Sequence, residues 1–221
     1  MKSLSRAELA RRIDHTLVGP QATKSDLERL CAEAREHGFH GVSVHGSRVE
    51  HAYALLEDTE VKVIGLVGFP FGASDADVKR YETEVSIDHG AHEIEMVLNL
   101  GRLKDGDASY VLRELRDIAE AADERPVTAI LETSLLTPKE RDLACELALD
   151  SGVQFVSTGT GLSAAATVAD VKNLRLAVGE KFGVKAAGWI TDAKTAMAMI
   201  EAGATRVGAS DGVAVISSLP K

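Results

Sequence analysis

The feature that most constrains the fold is a repeated alternation of short apolar segments with helical segments. Apolar runs rich in β-branched residues, each of a length suited to a buried strand, lie at 13–18, 41–45, 61–67, 93–99, 127–133, 155–157, 184–187 and 206–208. Segments with helical periodicity lie at 24–37, 47–57, 75–89, 108–122, 138–151, 167–178 and 191–202. Strands of this kind, separated by helices, predict a parallel sheet that is covered by helices.

Eight such units favour a closed (β/α)₈ barrel, formed as one domain that spans residues 1–221. A doubly wound open sheet is the alternative. That fold more commonly carries a glycine-rich phosphate fingerprint after its first strand, and the segment Asp14-His15-Thr16-Leu17 does not resemble one. We therefore favour the α/β barrel.

Composition and charge exclude several classes of protein. The 221 residues carry a formal net charge of −9 with no basic stripe, which argues against a nucleic-acid partner. The amino terminus lacks the apolar core of a signal peptide, and no apolar run reaches membrane-spanning length. Cys31 and Cys145 lie in separate helical segments and are expected to be reduced. We expect a cytoplasmic protein with no membrane partner.

Polar residues at the ends of the predicted strands indicate where chemistry takes place. In a barrel, side chains at the carboxyl ends of the strands converge on the mouth. This rule selects Asp14, His45, Glu95, Asn99, Glu132, Ser157, Lys185 and Ser210. A purely structural alternative is an ion pair in the core between Lys185 and Glu95 or Glu132, because an unpaired buried charge is costly. Convergence of the whole set favours a functional site.

A family resemblance covers nearly the whole chain. The motifs that carry it, in order, are IDHTLV, GVSVH, VIGLVGFPFG, GAHEIEMVLN, ILET, FVSTGTG, VKAAGWIT and EAGATRVGASDGV. In this order and spacing they resemble the deoxyribose-phosphate aldolase family. The resemblance implies a (β/α)₈ barrel that splits deoxyribose 5-phosphate into acetaldehyde and glyceraldehyde 3-phosphate through a lysine Schiff base. It also implies that no metal or other cofactor is needed.

Several positions depart from the family's pattern at the reacting centre. Ser157 stands where the resemblance places the Schiff-base lysine, and a serine cannot form an imine. Lys185 matches the family's second lysine, on the seventh strand. Glu95 matches its aspartate on the fourth strand, and Thr128 stands where the fifth strand carries a lysine. We therefore expect Lys185 to be the principal catalytic group, faced by Glu95 and Glu132.

The phosphate side of the family's site is also altered. The resemblance implies a Gly-Gly pair after strand seven and a Ser-Ser pair after strand eight, whereas Trp189 follows Gly188 and Asp211 follows Ser210 here. Thr191 stands where the family commonly has an arginine. An aspartate at a helix start either repels a phosphate or is simply a helix cap. We expect a substrate other than the family's phosphosugar.

These observations support three hypotheses. The first is a divergent lyase acting on a small carbonyl compound, in which Lys185 forms a relocated imine or, as nearby carboxylates favour, stabilises an enolate. The second is an ordinary deoxyribose-phosphate aldolase with Lys185 as the substitute amine. The third is a non-catalytic barrel that binds or regulates.

The residue assignments are common to the first two hypotheses. The expected catalytic residues are Lys185, Glu95, Glu132 and Asp14. The expected substrate-binding residues are Ser157, Thr160, Gly161, Gly188, Trp189, Ser210, Asp211, His45, Asn99 and Thr128. For His45, an acid/base role and a hydrogen bond to loop backbone both remain open. The expected partner is a small carbonyl substrate, and because small barrels of this kind often pair, a homodimer is one expectation.

Overall fold

The computed structural model describes residues 4–219, and they form a closed barrel of eight parallel strands in sequence order, with β8 paired to β1. The strands are β1 Ile13–Leu17, β2 Gly41–His45, β3 Lys62–Val67, β4 Glu93–Val97, β5 Val127–Ile130, β6 Phe155–Ser157, β7 Gly183–Ala187 and β8 Arg206–Ala209. The predicted (β/α)₈ barrel is confirmed, and the open sheet is excluded because β1 and β8 are hydrogen-bonded neighbours.

Helices connect the strands and cover the outside of the barrel. They are α1 Arg6–Ala10, α2 Lys24–His37, α3 Gly46–Leu56, α4 Ala76–Asp88, α5 Leu100–Lys104, α6 Ala108–Ala121, α7 Pro138–Leu149, α8 Val168–Val178, α9 Ala193–Glu201 and α10 Gly212–Ser217. No helix within 4–219 is long and apolar enough to cross a membrane.

Local sequence explains where these helices begin. Thr23, Thr137 and Thr167 each accept a hydrogen bond from the backbone three residues later, and an acidic residue there bonds back to the threonine amide. Such reciprocal capping boxes satisfy amide groups that the first helical turn leaves unpaired. They set each helix start close to the predicted position.

Two strands, β4 and β5, are shorter than predicted by two residues or more, for reasons that matter to the site. β4 ends at Val97 because Asn99 caps the short helix α5, its Oδ1 accepting from the Arg102 amide at 3.2 Å. β5 ends at Ile130 because Glu132 adopts a left-handed backbone, φ +52°, and starts a 3₁₀ turn over Thr133–Leu135.

The core has an apolar outer shell and a polar interior. Strand residues such as Val42, Val44 and Val156 are buried in the apolar core cluster, together with helix residues. Burial of this apolar surface is the main stabilising term. Many of the alternate strand positions carry buried polar or charged side chains, such as Asp14, Glu95 and Lys185, and these form the site described next.

Candidate active site

Strand register brings the predicted residues of the second half of the barrel side by side. Ser157 on β6 is level with Lys185 on β7, and Lys185 is level with Arg206 on β8. Glu95 on β4 is level with Thr128 on β5. Since residues two apart on a strand share a face, one interior layer carries most of the reactive groups.

Lys185 lies at the centre of a buried ionic cluster. Its Nζ is 2.7 Å from Asp14 Oδ2 and donates to Glu95 Oε1. All three side chains are buried, with Lys185 only 2% exposed. The ion pair of Lys185 with Glu95, which the sequence offered as a structural alternative to function, is thus present in the structure, and Asp14 is the second carboxylate.

The cluster holds two carboxylates for one ammonium, and this composition determines its pKa values. Burial alone lowers the pKa of Lys185, but the charges of Asp14 and Glu95 outweigh it and leave that pKa above its ordinary value. Burial raises the pKa of Glu95, and the charge of Lys185 only partly offsets this while Asp14 adds to it. The raised pKa of Glu95 favours uptake of a proton by this carboxylate.

A second ionic layer lies towards the amino-terminal ends of the strands, and the sequence reasoning did not select it. Glu93 accepts from both guanidinium nitrogens of Arg206 and is 2.9 Å from His40 Nε2. Burial acts to raise the pKa of Glu93, but these bonds outweigh it and lower the pKa to about 2. Glu93 lies two residues before Glu95 on β4, so the alternation of side chains along a strand predicts that both face the interior. Arg206 is level with Lys185 on the neighbouring strand.

Ser157 is almost fully buried beside this cluster, and its hydroxyl has no hydrogen-bond partner among the described residues. The hydroxyl of Ser43, on β2, is in the same situation. Thr128 is also buried. Small polar side chains therefore occupy positions that a lysine would fill with a long charged chain.

Glu132 does not contact Lys185, contrary to the expectation that it faces that residue. Its Oε2 accepts from the Thr160 hydroxyl at 2.6 Å and from the Thr160 amide at 3.2 Å. The left-handed backbone at Glu132 redirects its side chain to the loop after β6. Its role in the structure is to hold the Thr160-Gly161 loop.

The loops after β6 and β7 are fastened to each other. The Thr158 hydroxyl donates to the Ala187 carbonyl and accepts from the Ala187 amide, both at 2.9 Å. The Trp189 indole N–H donates to the Gly161 carbonyl at 2.7 Å. A Cβ at Gly188 would lie 2.9 Å from the Ala164 carbonyl oxygen, so glycine permits this close approach.

Trp189 is held in an unusual conformation. Its φ is +54°, a left-handed value that costs a bulky residue about 1–3 kcal/mol, and its side chain is 69% exposed. Its indole hydrogen bond to the neighbouring loop is one contact that maintains this geometry. Backbone strain of this kind clusters at functional sites.

A cavity of about 520 Å³ lies at the carboxyl ends of β7, β8 and β1. Lys185 is not among its lining residues, but Gly208 is, and a Cβ built on Gly208 would lie 3.1 Å from Lys185 Cε. Six of the predicted substrate-binding residues line it: Thr160, Gly161, Gly188, Trp189, Ser210 and Asp211. Asp211 also caps α10, its Oδ1 accepting from the Ala214 amide at 2.8 Å.

Four predicted substrate-binding residues lie outside this cavity: Ser157 and Thr128, which are buried on their strands, and His45 and Asn99. His45 Nε2 is 3.1 Å from the Val18 carbonyl oxygen, so the hydrogen bond to loop backbone is the one that the structure contains. His45 lines a separate cavity of about 770 Å³ between the β1 loop and helices α3 and α4. Asn99 caps α5. Neither side chain is grouped with Lys185.

Within residues 4–219, no three His, Cys, Asp or Glu side chains are grouped in a way that could hold a metal ion. The site contains a buried amine, two carboxylates that can exchange protons with it, and a neighbouring cavity lined by Gly208. Those are the components of carbonyl chemistry by acid–base or imine routes.

Comparison with known proteins agrees with this architecture. No protein-family model matches the chain. Deoxyribose-phosphate aldolase 1 of Bacillus licheniformis is 49% identical over 214 residues, covering 96% of both proteins. Deoxyribose-phosphate aldolase of a Thermoanaerobacter species is 46% identical over 217 residues, covering 96% of this chain and 97% of that protein.

Solved structures give the same picture. QR15, an aldolase, superimposes with a TM-score of 0.91 at 30% identity, covering 95% of each chain. Deoxyribose phosphate aldolase from Aeropyrum pernix, described as having a unique tetrameric structure, has a TM-score of 0.91 at 31% identity. The match covers 97% of this chain and 92% of that one.

The barrel and its buried lysine–carboxylate cluster define an aldolase-type carbon–carbon lyase. At 46–49% identity over almost the full length of its relatives, the chain belongs to the deoxyribose-phosphate aldolase family. The family resemblance seen in the sequence is confirmed.

Proposed function

We propose that this chain cleaves 2-deoxyribose 5-phosphate to acetaldehyde and glyceraldehyde 3-phosphate, with Lys185 as the imine-forming amine. The observation that carries the proposal is the buried amine of Lys185 between Asp14 and Glu95, with its side chain next to Gly208, which lines the cavity at the barrel mouth. The names of the relatives support the choice of substrate. They favour the second hypothesis drawn from the sequence over the divergent lyase and the non-catalytic barrel.

The reaction needs one amine and a proton carrier. The amine of Lys185 adds to the C1 aldehyde, and loss of water gives an iminium. A base removes the C3 hydroxyl proton, the C2–C3 bond breaks towards the iminium, and glyceraldehyde 3-phosphate leaves. The remaining enamine takes a proton at C2, and water then releases acetaldehyde and the free amine.

Proton transfer to Glu95 starts this sequence in the proposal. The raised pKa of Lys185 opposes imine formation, because an ammonium has no lone pair to attack a carbonyl. The raised pKa of Glu95, which accepts a hydrogen bond from that ammonium, makes it a suitable acceptor for the proton. Asp14, on the other side of Nζ, then faces the neutral amine.

The assay measures acetaldehyde release from 2-deoxyribose 5-phosphate by wild type, by Lys185→Arg and by a control, Lys172→Arg, at an exposed position on α8. An arginine keeps the positive charge beside Asp14 and Glu95 but supplies no amine at neutral pH. We expect Lys185→Arg to lose about 1,000-fold or more in kcat, and the control to keep wild-type turnover.

Two results would contradict the proposal. Turnover in Lys185→Arg within about ten-fold of wild type would indicate that the residue acts as a charge, as in the enolate hypothesis. If the wild-type protein does not cleave 2-deoxyribose 5-phosphate, the divergent-lyase hypothesis is favoured instead.

The remaining expectations concern assembly and location. The homodimer stays a prediction, which the molecular mass in solution tests. A small carbonyl substrate and a cytoplasmic location are part of the same proposal.

A further inference from the structure

His15 is a buried imidazole on β1 that the proposed imine chemistry does not use. The residue before it, Asp14, contacts Lys185 inside the barrel. Because adjacent residues of a strand point to opposite faces, His15 points outwards to the helices. It is 2% exposed, and its ring packs edge-on against Phe39 at a centroid distance of 5.2 Å.

The two ring nitrogens of His15 contact two separate parts of the fold. Nε2 lies 2.8 Å from Oε2 of Glu33 on α2. Nδ1 accepts from the amide of Gly212, the first residue of α10, at 3.4 Å, and it lies 3.4 Å from the Ala209 carbonyl oxygen. His15 thus connects α2 to the β8–α10 loop, which consists of residues 210–211.

These contacts select one tautomer of the His15 ring. A carboxylate only accepts hydrogen bonds, so Nε2 must carry a proton to bond Glu33. A backbone amide only donates, so Nδ1 must carry none to bond Gly212. The neutral Nε2–H tautomer meets both conditions. A proton on Nδ1 would face the Ala209 carbonyl and leave the buried Gly212 amide without this acceptor, which is costly.

The β8–α10 loop is bordered by two cavities. Its residues, Ser210 and Asp211, are exposed, and both line the cavity at the barrel mouth. The same two residues line a second cavity of about 220 Å³, together with His15, Glu33 and other residues of α2. Open space on these sides leaves the position of the loop dependent on the backbone contacts at its ends.

Gly212 brings the end of this loop close to β1. A Cβ on Gly212 would lie 2.9 Å from Phe39 Cζ and 3.1 Å from Ile13 Cγ2, so glycine permits this approach. Phe39 is also the residue on which the His15 ring packs. The start of α10 is therefore seated against the same side chains as the imidazole that accepts from its first amide.

We propose that His15, as the Nε2–H tautomer bonded to Glu33, is a positioning residue that sets the start of α10 and thereby the β8–α10 loop at the barrel mouth. The inference rests on the proposed cleavage of 2-deoxyribose 5-phosphate, because the loop affects the reaction only if substrate binds beside it. His15 touches no reacting atom. Its effect reaches the substrate through the loop and falls on binding more than on turnover.

Two substitutions separate the two hydrogen bonds. In His15→Asn, the side-chain oxygen takes the place of Nδ1 and accepts from Gly212, but the side chain is too short to reach Glu33. In His15→Gln, the amide nitrogen takes the place of Nε2 and donates to Glu33, but no acceptor remains for Gly212. Both variants lose the packing of the ring on Phe39, so each is the matched control for the other.

Steady-state kinetics with 2-deoxyribose 5-phosphate measure the effect. We expect His15→Gln to raise KM about three- to ten-fold, as one lost hydrogen bond would, with kcat within about two-fold of wild type. His15→Asn should stay within about two-fold of wild type in both constants. A KM in His15→Gln that does not exceed the KM in His15→Asn overturns the inference.

The tautomer is measured without substrate. In ¹⁵N-labelled protein at pH 8, long-range ¹H–¹⁵N spectra distinguish protonated from unprotonated ring nitrogens, and the His15 signals are assigned by their absence from His15→Gln. We expect a proton on Nε2 and none on Nδ1. A proton on Nδ1 in the wild type overturns the inference.

The two measurements separate this inference from the proposed function. If the tautomer is the expected one but the wild type does not cleave 2-deoxyribose 5-phosphate, the proposed function fails. If cleavage occurs and the two His15 variants do not differ in KM, only the inference fails.

Discussion

Replacement of Lys185 by methionine should leave two buried carboxylates, Asp14 and Glu95, without their cation. The ammonium lies 2.7 Å from Asp14 Oδ2, and all three residues are buried, with at most 5% of any of them exposed. Removal of one partner from a buried ionic group typically costs about 3–5 kcal/mol, because the remaining charge has neither water nor a partner. We expect Lys185→Met to lose a free energy of unfolding in that range at pH 7.

The loss of unfolding free energy in Lys185→Met should become larger as pH rises. Without Lys185, the influence that lowers the pKa of Glu95 is gone while burial and Asp14 still raise it. A group with a raised folded pKa stabilises the protein below its unfolded pKa, and that contribution is lost as pH rises through the folded pKa. Lys185→Met should therefore lose stability from about pH 4.5 upwards, by at most about 1.4 kcal/mol per pH unit.

The assay is urea unfolding of wild type and Lys185→Met at several pH values from 5 to 8. The matched control is the triple variant Lys185→Met, Asp14→Asn, Glu95→Gln, which has no buried charge in this layer and should be more stable than the single variant at pH 8. The reasoning is refuted if Lys185→Met stays within 1 kcal/mol of wild type and the difference does not vary with pH.

Two further predictions concern the other buried ionic groups. The pKa of Glu93 is lowered from 4.5 to about 2, so its contribution is present above pH 4.5 and lost as pH falls to 2. Glu93→Gln should therefore lack about 3 kcal/mol of the acid-dependent loss seen in wild type, measured by urea unfolding across that range. The Nζ of Lys79 is 2.7 Å from Glu114 Oε1, both fully buried. Glu114→Gln should lower the free energy of unfolding by about 3–5 kcal/mol, and the double variant Glu114→Gln, Lys79→Met should recover most of that loss. A loss of less than about 1 kcal/mol in the single variant would indicate that water reaches the pair.

The barrel followed from the sequence because it depends on repetition. Apolar strands alternating with helices leave few architectures open, and eight units favour closure. The Lys185–Glu95 pair followed from the same logic, since inward positions at strand ends converge. The same rule selects Asp14, which lies level with Gly208 where β1 and β8 close the barrel.

The positions whose contacts could not be predicted from the sequence lie where the backbone leaves the strand. Glu132 has a left-handed φ, and His45 and Asn99 sit at helix starts, bonded to or capping backbone. A change in backbone conformation at a single residue can point its side chain to the other face of the sheet. Nothing in the motif ILET predicts the left-handed conformation of Glu132. The strained backbone of Trp189 also could not be predicted, because tryptophan has no preference for left-handed backbone angles and the surrounding folded loop imposes them.

The central claim is that Lys185 forms an imine. Its most direct test is reduction with borohydride in the presence of acetaldehyde, followed by trypsin digestion and mass spectrometry. We expect an N-ethyl group on Lys185, found in a peptide spanning 182–194 that trypsin leaves uncut at this residue, and none in Lys185→Arg. A wild-type protein that turns over deoxyribose 5-phosphate but gives no adduct, or gives it on another lysine, would contradict the account.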